Sequence, residues 1–159
     1  MSGQAREEDR TYHGIDHPDG QAAARIFVEV SQYGPTEREL AHQDGRLRLR
    51  ELHAFDEDRG GGFGWGYNGG GPSRAASAVL ADALDEPQER YDFPTSVDRV
   101  ADRLRKDFCE DVLSQLCGEW RLRRGAVLRW ARGWYAQQGI TPLPSALAAL
   151  PPIGHRRMR

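Results

Sequence analysis

The chain has 159 residues, enough for one domain, and its mean hydropathy of −0.72 with 38% hydrophobic residues predicts a modest core. No apolar run is long enough to span a membrane or to act as a secretory signal, so we exclude an integral membrane protein and expect a cytoplasmic one. The net charge of −2 conceals a split, because residues 1–118 carry 14 basic and 23 acidic groups whereas residues 119–159 carry eight arginines and one acid.

The first half of the chain contains two predicted strands. Residues 1–11 are polar and charged, so we expect a disordered N-terminal tail there. Residues 26–30 are rich in β-branched and aromatic side chains, which is typical of a strand. Residues 46–50 alternate arginine with leucine, which predicts a half-buried strand, antiparallel to the first, with Leu47 and Leu49 facing the core.

Glycine dominates the next part of the chain. Eight of the twelve residues 60–71, here called the glycine segment, are glycine, and Phe63, Trp65 and Tyr67 stand at alternate positions between them. Ordering such a run is entropically unfavourable, so the segment is either a flexible linker or a backbone shape that side chains would forbid. Three large rings are unusual in a linker, which favours the second interpretation.

Three helices are predicted after the glycine segment. The first begins at Pro72, a favoured first helical residue, and ends before Pro87. The second follows Thr95, a candidate N-cap, and the third spans residues 124–138. The predicted buried positions of the first two helices are Ala76, Val79, Leu80, Ala83 and Leu84, and then Val97, Val100, Ala101, Leu104, Phe108, Val112 and Leu116.

The two cysteines lie in the second predicted helix. Cys109 and Cys117 are eight residues apart, which corresponds to about 12 Å along a helix and is too far for a disulfide. We therefore expect reduced thiols, with Cys109 acting as a small apolar side chain of the core.

These elements together predict an α+β fold. We expect a small antiparallel sheet of about three strands, covered by about three helices, in a single domain over residues 12–139. The prolines and arginines of residues 140–159 predict a Pro-rich and basic C-terminal tail.

Three motifs resemble those of an uncharacterised family, domain-of-unknown-function family 6166. The family's run G-F-x-W-G-Y-G-G-S-G-P is matched here by Gly62, Phe63, Trp65, Gly66, Tyr67, Gly69, Gly71 and Pro72. Tyr12-x-Gly14 is similar to its N-terminal Y-x-G, and Trp120-x-Leu122 to its late W-x-L. The resemblance implies a shared structure and a frequent association with phages and other mobile elements, but no chemistry.

The chain departs from the family pattern at the centre of the signature. Asn68 stands where glycine is usual, Gly70 replaces a serine, and Arg74 replaces a common glutamine. The change at Gly70 removes the serine hydroxyl that could bind a ligand or act as a nucleophile at this position.

The end of the glycine segment is a candidate anion site. Backbone N–H groups of Gly69, Gly70 and Gly71 and the positive end of the following helix can hold a phosphate or carboxylate, assisted by Ser73 and Arg74. No Lys-Ser/Thr pair follows, so the run is not a P-loop. The alternative is a tight structural turn in which Trp65 and Tyr67 pack on the helix.

The three rings of the segment are a candidate aromatic surface. Alternate strand positions share a face, so Phe63, Trp65 and Tyr67 could stack on nucleic-acid bases beside Arg46, Arg48 and Arg50. The alternative is that the rings belong to the core.

A short polar cluster near the N-terminus has the residue types of metal ligands. His13, Asp16, His17 and Asp19 follow one another closely, but their spacing matches no established motif and a polar turn explains it equally well. We therefore predict neither a metal nor a cofactor, and no catalytic residue.

The C-terminal part of the chain offers a candidate partner-binding surface. It comprises Arg121, Arg123, Arg124, Arg129 and Arg132, near two tryptophans. This region could dock on nucleic acid, on an acidic protein or on an anionic membrane surface, or it could be a solvated helix face.

The sequence favours a non-enzymatic accessory protein of a phage or mobile element that binds a macromolecule, with a protein as the expected partner. The first alternative is a small anion- or nucleotide-binding domain centred on residues 69–74. The second is a nucleic-acid-binding protein that uses the arginine-rich C-terminal region.

Overall fold

The computed structural model describes residues 9–16, 24–31, 48–56, 62–92 and 97–151, and within them it has an α+β fold, as predicted. The strands are β1 (Asp9–Ile15), β2 (Arg25–Ser31), β3 (Arg48–Leu52) and β4 (Trp120–Arg123). The helices are α1 (Gly70–Ala83), α2 (Arg99–Asp111), α3 (Arg124–Gln138) and the short α4 (Ser145–Ala148). Two 3₁₀ segments, Gln88–Tyr91 and Leu113–Gln115, precede and follow α2.

The strands form one antiparallel sheet in the order β3-β2-β1-β4. The pairing of β2 with β3 confirms the predicted antiparallel pair. The sheet has one strand more than the expected three, because β4 pairs with β1 and places Trp120 opposite Gly14. Four residues are too few to show the alternation that reveals a strand in a sequence.

One face of the sheet is buried under helices. Tyr12, Ile26 and Val28 are fully buried on that face and belong to a single core with the buried residues of α1, α2 and α3. Because successive strand residues point to opposite faces, His13 and Glu29 lie on the other face.

The orientation predicted for residues 46–50 is wrong at Leu49. Leu49 lies opposite Glu29 on the outer face, where it is 64% exposed, whereas Leu52 lies opposite Ile26 and is buried. Arg50 lies two residues before Leu52 and therefore on the same face of the strand, which turns its side chain toward the helices. Leu47 lies outside the described residues.

Helix α1 occupies the centre of the fold. It contacts α2, α3 and both 3₁₀ segments, and only a few of its residues are not buried. The predicted stripe Ala76, Val79, Leu80, Ala83 and Leu84 is buried, as expected. The helix begins at Gly70, two residues before the predicted start at Pro72.

Helix α1 ends in a turn held by ion pairs. Asp85 has a positive φ of 52°, and Glu86 N–H donates to the carbonyl of Ala81 at 2.9 Å, which is the geometry that closes many helices. The Asp85 carboxylate accepts from Arg10 at 2.8 Å and from Arg124 at 3.0 Å. These two arginines tie the end of α1 to β1 and to the start of α3.

Asp98 caps α2, a role that the sequence analysis gave to Thr95. The Asp98 carboxylate accepts from Ala101 N–H at 3.0 Å, and the hydrogen bond from this backbone N–H is the main cause of its lowered pKa. Val97 precedes this cap and is 98% exposed, so its predicted burial is wrong, whereas Leu104 and Phe108 are buried as predicted. Thr95 lies outside the described residues.

Ordered structure extends on both sides of residues 12–139, the domain expected from the sequence. Strand β1 begins at Asp9, and Leu147 of α4 is fully buried in the core. Arg132 of α3 donates to the carbonyls of Leu150 and Pro151, each at 3.3 Å. The chain up to residue 151 is therefore attached to α3. Among the described helices, none has the length and apolar character that a membrane span requires.

Three side chains from the sheet converge on Asp82 of α1. Its carboxylate accepts from Tyr12 Oη at 2.8 Å and from Arg50 Nη1 at 2.5 Å, and its carbonyl accepts from Arg10 at 2.7 Å. The Asp82 side chain is only 12% exposed. Burial by itself would raise the pKa of this carboxyl group, but the hydrogen bonds and charges of its partners hold the pKa below the usual 3.8.

Asp82→Asn should therefore lower the free energy of unfolding at pH 7 by on the order of 3 kcal/mol, because Arg10, whose side chain is only 12% exposed, loses one of its charged partners. A carboxyl group with a lowered folded-state pKa stabilises the protein above its unfolded pKa and loses that contribution as the pH falls below it. Wild type should therefore lose stability below about pH 4, and Asp82→Asn should lack that part of the loss.

The measurement is urea unfolding of both proteins at pH 7 and pH 3. Asp111→Asn, a change at an exposed aspartate, is the control and should stay within about 0.5 kcal/mol of wild type at pH 7. Equal acid sensitivity in wild type and Asp82→Asn would show that this carboxylate does not hold the helix to the sheet.

Candidate functional site

The tryptophans of two family motifs meet beside the sheet. Trp65 of the glycine segment is 7% exposed, and its indole Nε1–H donates to the carbonyl of Gly118 at 2.9 Å. Its ring packs edge-to-face on Trp120 of β4, with 5.3 Å between the ring centroids. The glycine segment is thus attached both to β4 and to the residues that precede it.

Gly14 provides the space for Trp120. A Cβ atom on Gly14 would lie 2.2 Å from Cε2 of the Trp120 indole, a distance that no real contact allows. The two residues are direct partners in the β1–β4 pairing. The motifs Tyr12-x-Gly14 and Trp120-x-Leu122 therefore describe the two sides of one cross-strand contact.

Gly66 connects the middle of the glycine segment to the 3₁₀ segment after α2. Its N–H donates to the carbonyl of Leu113 at 3.0 Å, and its φ of +83° lies in the region that favours glycine. A Cβ atom there would also lie 2.9 Å from the carbonyl oxygen of Leu116. These contacts favour the interpretation of the segment as a defined backbone shape.

Tyr67 is exposed and yet closely supported. Its side chain is 55% exposed, but a Cβ atom on Gly64 would lie 2.6 Å from the hydroxyl oxygen and one on Gly71 2.7 Å from it. A Cβ atom on Gly69 would be 3.0 Å from Cε2 of the ring. Three glycines therefore make room for a tyrosine that contributes little to the core.

Arg74 lies beside the first turn of α1. Its Nε donates to both carboxylate oxygens of Asp56, at 3.0 and 2.9 Å, which links α1 to the residues that follow β3. A Cβ atom on Gly70 would lie 3.2 Å from Arg74 Nη1, so the guanidinium group folds back toward the helix start. That start has no side-chain cap and no acidic residue in its first turn.

Ser73 faces the interior rather than the helix start. It is 7% exposed, and its hydroxyl lies 3.9 Å from the thiol of Cys109. The same thiol lies 3.8 Å from the side-chain oxygen of Asn68. Burial raises the pKa of the Cys109 thiol, and the hydrogen bond from Ser73 opposes that shift only in part. A buried, protonated thiol suits the predicted packing role.

The predicted aromatic surface is not one surface. Trp65 is buried, Tyr67 is exposed, and Phe63 is partly buried and forms an isolated bridge with Ala24. The chain bends at residues 66–69, so the alternation of a strand does not continue through the segment. Arg50, expected beside the rings, pairs with Asp82, and Arg46 lies outside the described residues.

The five C-terminal arginines divide into two groups. Arg124 donates to the carbonyl of Ala83 at 2.9 Å as well as to Asp85, Arg132 holds two carbonyls, and Arg121 lies 3.3 Å from Glu29. The side chains of Arg123 and Arg129 are exposed and make no hydrogen bond or ion pair with other described residues. Three of the five therefore contact other parts of the fold.

His13 is placed among acidic side chains on the outer face of the sheet. Its ring nitrogens lie 2.5 Å from Glu119 Oε1 and 3.4 Å from Glu29 Oε1. No group of three or more metal-ligating side chains occurs among the described residues, and His17 and Asp19 of the proposed cluster lie outside them.

Sequence reasoning missed two residues that build this site. Asp56 fixes Arg74 across 18 positions of sequence, and no local pattern indicates such a pairing. Gly64 makes room for Tyr67, and the alternation of glycine with aromatic residues is the signal that could have revealed it.

Gly14→Ala should destabilise the protein by about 3 kcal/mol, because the buried Trp120 ring cannot move aside without disturbing the core. Gly133→Ala is the matched control: no atom lies within 4 Å of its added Cβ, and the change should be neutral or stabilise α3 by up to about 1 kcal/mol. Chemical unfolding of both variants measures the difference.

A second pair of variants isolates the clash. If the Trp120 ring causes the loss, Gly14→Ala should have an effect below about 1 kcal/mol in a Trp120→Leu background. An unchanged effect in that background would refute the proposed contact.

The glycine segment and Trp120-x-Leu122 fall within a match to a protein family. The model of a family of unknown function, DUF6166, matches residues 32–133, a range that excludes Tyr12-x-Gly14. No curated protein and no solved structure matches the chain. The matched range is well over half of the sequence, and the chain therefore belongs to the family of unknown function DUF6166.

Proposed function

We propose that this chain is a non-enzymatic interaction protein of a phage or other mobile element, acting in the cytoplasm, and that it binds a protein partner. The proposed contact surface, here called the Tyr67 surface, consists of Tyr67, Arg74 and the first turn of α1. The observation that carries the proposal is the exposed Tyr67 ring supported by three glycines.

The support of Tyr67 favours a role in binding over a role in stability. More than half of its side chain is exposed, so its burial contributes little to folding. A ring that is already held in place loses little side-chain entropy when a partner covers it. Tyrosine and arginine are also, with tryptophan, enriched at the energetic centres of protein interfaces.

The pairing of Arg74 supports the same surface. Among the described residues, Asp56 accepts from Nε of the guanidinium group, whereas Nη1 and Nη2 lie on the side of Gly70. Arg74 can thus donate to a partner while Asp56 holds it in place. Its charge suits an acidic or carbonyl-rich segment of the partner.

The titratable groups described here support binding rather than catalysis. Asp82 serves the α1–sheet contact, and burial raises the pKa of the Cys109 thiol. His13 faces two glutamates on the sheet face opposite the core.

Tyr67→Ala should raise the Kd for the partner at least tenfold, because loss of an interface anchor removes more than about 1.4 kcal/mol of binding free energy. Co-purification from the native host identifies the partner, and calorimetry then measures its Kd. Leu49→Ala, at an exposed residue on the outer sheet face, is the matched control and should bind as wild type does.

Gly64→Ala refines this test without removing the ring. The atom that its Cβ meets is the far end of the Tyr67 side chain, so the ring should swing away while the fold remains stable. Weaker binding with an unchanged unfolding transition is the expected result. Wild-type affinity in both Tyr67→Ala and Gly64→Ala would rule out the Tyr67 surface.

A second candidate function is the binding of a small anion at the start of α1. The uncapped first turn and the adjacent Arg74 guanidinium favour it. Inorganic phosphate or a nucleotide at about 100 times its Kd should stabilise the protein by about 2.7 kcal/mol. In a thermal-shift titration, Arg74→Gln should show a much smaller rise in Tm with added ligand than wild type. No rise in the Tm of wild type would exclude anion binding at this position.

Nucleic-acid binding through the C-terminal arginines receives less support, because only Arg123 and Arg129 of that set lack partners among the described residues. On duplex DNA, two phosphate contacts give a slope of log K against log salt concentration of about −2 at most. The variant Arg123→Glu with Arg129→Glu should leave partner capture intact if the Tyr67 surface is the site. If that variant no longer captures the partner, the interface lies on β4 and α3 instead.

A further inference from the structure

We draw no further inference here: the strongest candidate, the buried Cys109 thiol beneath the first turn of α1, carries nothing because it is a lone cysteine beside a helix N-terminus and nothing in the described residues marks a ligand there.

Discussion

The structure depends on the contact between the Trp120 indole and the bare backbone of Gly14. The two residues pair across β1 and β4, and the ring occupies the place where any other residue would put its side chain. Trp65 then packs edge-to-face on Trp120 and donates to Gly118. The short strand β4, which follows α2 in the sequence, is thereby joined to the first strand and to the glycine segment, which positions the start of the central helix.

The path from this contact to the Tyr67 surface runs through the glycine segment. Trp65 anchors one end of the turn, Gly66 is bonded to Leu113, and the next residue is Tyr67. At the far end of α1, hydrogen bonds between Asp82 and the sheet hold the helix in place. The surface therefore rests on an element secured at both ends, which is the arrangement that a preorganised binding site requires.

Much of the fold could be predicted from local patterns, whereas the site could be predicted only in part. Helix α3 has its predicted bounds, β2 follows from its β-branched and aromatic residues, and the buried stripe of α1 follows from periodicity. The prediction of which face of β3 is buried is wrong, because alternation divides the side chains between two faces but does not show which face meets the helices. The opposite environments of Trp65 and Tyr67 also escaped prediction, since the bend between them depends on contacts with distant parts of the chain.

The central claim is that residues 62–71 of the glycine segment form a rigid part of the domain, and backbone ¹⁵N relaxation of their amides tests this most directly. The described contacts of Trp65 and Gly66 predict order parameters near those of α1, about 0.85 on the nanosecond scale. Values below about 0.6 for these two amides would contradict the account, because a freely moving segment could not hold Tyr67 in place.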